Sequence, residues 1–181
     1  MQRRITLILI FSILACFISV SSVTDLKQIS FLPKGRPVLG RITSGFGLRR
    51  HPLLHRTHFH SGVDIAARTS TLVRATAPGK IKISGKSRSY GNYVVVDHGH
   101  GWETLYAHLR RPGVLRVGEK IGLGGKVGEV GSSGFATGAH LHYEVRYSGQ
   151  AQDPRHFINE SNRLEISQLE NSHPDAVSLL Q

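Results

Sequence analysis

Residues 139–147 read AHLHYEVRY, and the alternation in that stretch leaves little choice of structure. In a strand, successive side chains point to opposite faces. Leu141, Tyr143, Val145 and Tyr147 then line an apolar face, and His140, His142, Glu144 and Arg146 line a polar one. This is the pattern of a half-buried strand. The chain has 20 glycines and no long amphipathic helical pattern. Both point to a turn-rich β protein.

The polar face matters as much as the apolar one. Two histidines side by side on a sheet face can supply a metal ligand and a base beside it. Residues 58–66, HFHSGVDIA, add His60, Gly62 and Asp64. Histidine nitrogen and carboxylate oxygen both bind zinc, at roughly 2.0–2.2 Å. Four residues of straight strand would hold His60 and Asp64 about 13 Å apart, too far to share one ion. The chain must bend between them, and Gly62 bends without a Cβ penalty. A third stretch, WETLYAHL at 102–109, brings His108. As a regular strand it places His108 on one face with Trp102, Thr104 and Tyr106.

The order His60-x-Gly-x-Asp64, Tyr106-Ala-His108, His140-Leu-His142 resembles the lysostaphin-type (LytM-like) zinc endopeptidases of bacterial cell walls. SGFGLRRHP at 44–52, YGNYVVVDHGHG at 90–101 and GSSGFATGAHLHYEV at 131–145 carry the same likeness. It covers roughly residues 38–158. The resemblance implies a mainly β fold: a single antiparallel β-sheet domain with long loops around a zinc groove. By matching motif positions it implies His60, Asp64 and His142 as the metal ligands. Strand alternation alone does not choose His142 over His140. His108 and His140 are left as general acid/base and stabilisers of the transition state, with the division between them open. Glu144 is read either as a partner behind a ligand or as half of a cross-strand ion pair.

The implied substrate is peptidoglycan, cut in its peptide stems or cross-links, and the implied cofactor is Zn2+. A non-catalytic wall-binding or amidase-activating module on the same fold is the competing reading. Such modules lose metal-site residues, and here each position is filled. A secreted protease acting on other proteins is a third.

The N-terminus, MQRRITLILIFSILACFISVSS, has a basic start at Arg3 and Arg4 and an apolar run from Ile5 to Val20. This is the form of a secretory signal peptide ending near Ser22. An uncleaved anchor and lipoprotein processing at Cys16 are the alternatives. All three export the domain, to the periplasm or to the extracellular cell wall, and any membrane contact is through that segment. Cys16 is the single cysteine, so no intramolecular disulfide forms. Of the net charge of +11, Arg3 and Arg4 carry two units. The remaining basic surface favours polyanions. Aromatics are only 7%, and no interleaved basic–aromatic platform appears, so nucleic acid is not expected as a partner. A monomer is expected.

The chain divides into a signal segment at 1–22, a short approach at 23–37, the zinc endopeptidase domain at 38–158 and a polar tail at 159–181. In the domain, Gly45 and Gly47 bracket a turn at Phe46. KIKIS and YVVVD form a hairpin. His51, His55 and His58 are expected in solvated loops, and His98 and His100 in a turn. Asp153-Pro154 closes the domain.

Overall fold

The computed structural model describes residues 31–50, 57–111 and 115–158. The expected signal segment, His51, His55 and the tail at 159–181 lie outside these residues. Twelve strands run through them: β1 (Arg41–Ser44), β2 (Gly47–Arg50), β3 (Thr57–His60), β4 (Val63–Ala66), β5 (Leu72–Arg74), β6 (Gly79–Ser87), β7 (Gly91–Gly99), β8 (Trp102–Leu109), β9 (Lys120–Ile121), β10 (Lys126–Glu129), β11 (His140–Tyr147) and β12 (Gln150–Gln152). The main antiparallel sheet has the order β1-β4-β11-β8-β7-β6-β9, with β12 added beside β11. β5 pairs with β10, and β2 with β3, as separate two-stranded ribbons.

The expected two-faced strand is β11, at the centre of this sheet. Leu141, Tyr143 and Val145 are fully buried. They join Val94, Val96 and Tyr106 from the neighbouring strands, and Val73 and Val127 from the β5–β10 ribbon, in one core. The ribbon therefore covers one face of the main sheet. The opposite face carries a smaller cluster of Val95, Leu105 and Ala107, with Tyr90 and Tyr93 packed against it. The polar side of β11 lies on this second face.

The expected hairpin from KIKIS to YVVVD is β6–β7, paired from Lys80↔Asp97 to Ser87↔Gly91. Gly47 has φ +110 in the turn after Phe46, where a side chain is strained. After Asp153 a single helical turn at 154–158 closes the domain. The Asp153 carboxylate accepts from the Arg155 backbone N–H at 3.0 Å, a cap that satisfies one of the free donors at a helix start.

Three expectations need correction. His98 is not in a turn: it lies within β7, is 2% exposed, and holds Pro78 O and Thr104 Oγ1, each at 2.8 Å. His58 is exposed but sits on β3 rather than in a loop. His108 does not share a face with Trp102, Thr104 and Tyr106. Asn92 pairs with Leu109 and Val94 with Tyr106, so Ala107 and His108 together face the single residue Tyr93. That is a β-bulge, and His108 takes φ +58 within it. The bulge turns His108 away from Tyr106, whose ring packs on Tyr143 in the core, and onto the face of His142.

Candidate metal centre

Strand register assembles the site. Asp64 on β4 stands opposite His142 on β11, and His142 stands opposite Ala107 on β8. His60 ends β3, and Ser61 and Gly62 turn the chain into β4. The reason for glycine at 62 is space rather than φ. A Cβ there would lie 2.3 Å from Tyr143 O and 2.9 Å from Glu144 Cγ.

Three ligand atoms converge. His60 Nε2 is 3.0 Å from His142 Nδ1 and 3.2 Å from Asp64 Oδ1. His142 Nδ1 is 2.9 Å from Asp64 Oδ1. His60 and His142 are buried, at 4% and 6% exposed. Behind them, His60 Nδ1 donates to Gly45 O at 2.7 Å, and His142 Nε2 donates to Glu144 Oε1 at 2.9 Å. Those acceptors take the outward proton of each ring, so His60 Nε2 and His142 Nδ1 are the nitrogens aimed at the centre. In the metal-free chain burial opposes a charged His142, but hydrogen bonds to Asp64 and Glu144 outweigh it and raise its pKa; one shared cation would stand in for the inward proton. Tetrahedral ligands at zinc distances lie about 3.3 Å apart, within a few tenths of an ångström of the spacings here. The donor set fits zinc. These three residues also form the potential metal-binding group found among the described residues.

Electrostatics favour the same occupant. Burial works against the Asp64 carboxylate, but hydrogen bonds and charge from His142 and His60 hold its pKa well below the usual range. Burial likewise opposes a charged Glu144. Hydrogen bonds from His142 and Ser61 and the charges of His142 and Arg146 outweigh it, and its pKa falls to about 2. Both carboxylates are anionic at neutral pH.

His140 and His108 flank the triad. His140 Nε2 is 3.8 Å from Asp64 Oδ1, and its Nδ1 donates to Gly138 O at 2.9 Å. The His108 and His140 rings are 4.6 Å apart by centroid, and His108 Nδ1 donates to Ser133 O at 2.7 Å. Burial, opposed by that hydrogen bond and reinforced by its histidine neighbours, pulls the His108 pKa down to about 4. At neutral pH His108 is uncharged, with a bare Nε2. The structure thus brings the five residues together: Asp64, His108, His140 and His142 from the main sheet and His60 from the end of the β2–β3 ribbon.

Residues 58–154 match Peptidase family M23, more than half of the chain. The chain belongs to this family. Similar proteins include the DD-carboxypeptidase/endopeptidase Mpg of Neisseria meningitidis, 48% identical over 121 residues, which are 65% of this chain and 27% of that protein. A zinc-containing peptidase of Vibrio cholerae is 33% identical with a TM-score of 0.60, over 68% of this chain and 38% of that one. The catalytic domain of lysostaphin from Staphylococcus simulans is 28% identical with a TM-score of 0.59, over 66% and 92%. The chain thus spans about a quarter of the length of its Neisseria relative. The M23 fold is mainly β and antiparallel here, as expected from the sequence.

Other M23-site neighbours were not singled out in the sequence. Arg49 on β2 sits 3.7 Å from Asp64 Oδ2 and donates to Ser44 Oγ. Its Nε is the one buried side-chain polar atom without a partner among the described residues. Arg49 and Tyr90 fall inside the stretches that carried the family likeness, but their partners come from other strands. Glu144 pairs with Arg146 on its own strand, not across strands.

Proposed function

We propose that this chain is a zinc-dependent endopeptidase that hydrolyses peptide bonds in the stems or cross-links of peptidoglycan. The observation that carries the proposal is the meeting of His60 Nε2, Asp64 Oδ1 and His142 Nδ1 within 2.9–3.2 Å of one another, with two further histidines beside them. A Vibrio cholerae relative named peptidoglycan DD-endopeptidase ShyC, 35% identical over 116 residues, supports the substrate class. A cell-wall substrate would be met outside the cytoplasm, in the periplasm or at the wall, which supports export of the domain.

His60, Asp64 and His142 would hold the ion, and zinc bound by three protein ligands would supply an acidified water and a polarised scissile carbonyl. His140 and His108 handle protons. Each is anchored through Nδ1–H, so each offers Nε2 as an acceptor. The pair takes the proton released as water attacks and returns it to the leaving amine. Once protonated, either ring is also a donor for the developing oxyanion.

Purified sacculi incubated with the zinc-loaded chain, followed by mass analysis of the released fragments, test the function. Fragments shortened at a peptide bond are expected, and their masses identify the bond. Intact sacculi together with cleavage of soluble glycine-rich proteins would transfer the chain to general proteolysis.

A further inference from the structure

Glu144 has no exposed surface. A buried carboxylate is costly unless donors surround it, and a simple buried ion pair is no better than apolar packing. Glu144 has far more than an ion pair. Its Oε1 accepts from His142 Nε2 at 2.9 Å, from Ser61 Oγ at 2.6 Å and from the Tyr90 hydroxyl at 2.7 Å. Its Oε2 accepts from Arg146 Nε at 2.7 Å and Nη2 at 2.6 Å.

The donors come from distinct parts of the site. Ser61 belongs to the bend between His60 and Asp64. Tyr90 precedes β7, its ring lies 5.6 Å from that of His142, and its carbonyl accepts from the His108 backbone N–H at 2.8 Å. Gly62 leaves its Cβ space to the Glu144 side chain. One carboxylate therefore ties together the β3–β4 bend, the β6–β7 turn and the ring of His142.

We propose that Glu144 is a positioning residue for the metal centre, fixing His142 with Nε2 protonated and Nδ1 bare toward Asp64 and His60, with Tyr90 and Ser61 locking Glu144 in place. The proposal rests on the zinc reading of the triad. A carboxylate can only accept, so it selects one tautomer and one ring orientation and raises the basicity of the inward nitrogen. A neutral amide at 144 can donate as well as accept, and the selection is lost.

The test is zinc affinity of the full chain, measured by competition with a chromophoric chelator. The wild type is compared with Glu144→Gln and Tyr90→Phe, alongside circular dichroism and ¹⁵N shifts of the His142 ring. Glu144→Gln is expected to weaken zinc about 10- to 100-fold with the strand signal unchanged. In the zinc-loaded wild type, Nε2 of His142 is expected to carry the proton. A purely structural Glu144 would lower the melting temperature and leave the zinc affinity of folded protein unmoved. A loss below tenfold in folded Glu144→Gln overturns the proposal, as does a wild-type His142 protonated on Nδ1. Where Glu144→Gln does not fold, Tyr90→Phe decides. It removes the hydrogen bond to Glu144 and a longer one from Arg146 Nη2 at 3.4 Å, together worth about threefold or more, and unchanged affinity overturns the proposal. A wild type that binds no zinc defeats the metal reading itself, and this proposal with it.

Discussion

His142 and Asp64 face each other across β11 and β4, and this pairing puts Nδ1 of one 2.9 Å from Oδ1 of the other. A slip of one residue in that register would turn the strand over and bring Leu141 or Tyr143 opposite Asp64. The metal centre therefore depends on sheet register as much as on ligand identity.

His60→Ala and Asp64→Ala should each greatly weaken zinc binding, because each removes one of three converging donors. Elemental analysis of protein purified at limiting zinc checks this. Full occupancy in either variant removes that residue from the ligand set.

The paired histidines of β11 should separate cleanly. His142→Ala should lose metal and activity together. His140→Ala should keep most of its zinc, since His140 Nε2 stands 3.8 Å from Asp64 Oδ1, and lose activity. Zinc content and turnover measured on the same samples decide. Zinc lost from His140→Ala and kept in His142→Ala would reverse the assignment.

His108→Ala should fold and keep its zinc but lose at least about 100-fold in turnover, the typical cost of removing an acid/base or an oxyanion donor. Turnover is normalised to zinc-loaded, folded protein. A loss under about threefold would make His108 structural and leave His140 as the sole acid/base.

Much of this site was legible in the sequence because period-two alternation fixes which side chains share a face. The β11 faces follow from it directly; the bend that brings His60 to Asp64 follows instead from the rise along a straight strand, which would hold the two about 13 Å apart. His108 shows where alternation fails. The bulge opposite Tyr93 inserts one residue, and His108 at φ +58 crosses to the face that a regular strand denies it. No residue in WETLYAHL announces this, since glycine would be the usual occupant of such a conformation. His98 failed for a related reason. The glycines around it suggested a turn, but β7 extends through Gly99, and Pro78 O and Thr104 satisfy the ring in the core. Glu144 was legible as a partner behind a ligand, which its bond from His142 Nε2 bears out, but the rest of its network was hidden, because Ser61 and Tyr90 reach it only after three strands have paired.

His98 also predicts a pH effect. Burial, only partly offset by its hydrogen bond to Pro78 and by nearby acids, lowers its pKa. The folded state then binds fewer protons than the unfolded state below the unfolded value of about 6.5. Its contribution to stability is full above that pH and is lost as the pH falls. Melting temperatures between pH 7 and pH 5 should fall more steeply in the wild type than in His98→Gln. Parallel slopes would mean that His98 is not a source of acid sensitivity.

Anomalous diffraction at the zinc edge, from crystals of the zinc-loaded chain, tests the central claim most directly. The account predicts one strong peak bonded to His60 Nε2, Asp64 Oδ1 and His142 Nδ1, with His140 and His108 nearby but unbonded. A peak held by His140 or His108 in place of any of those three, or no peak among them at full zinc loading, would contradict it.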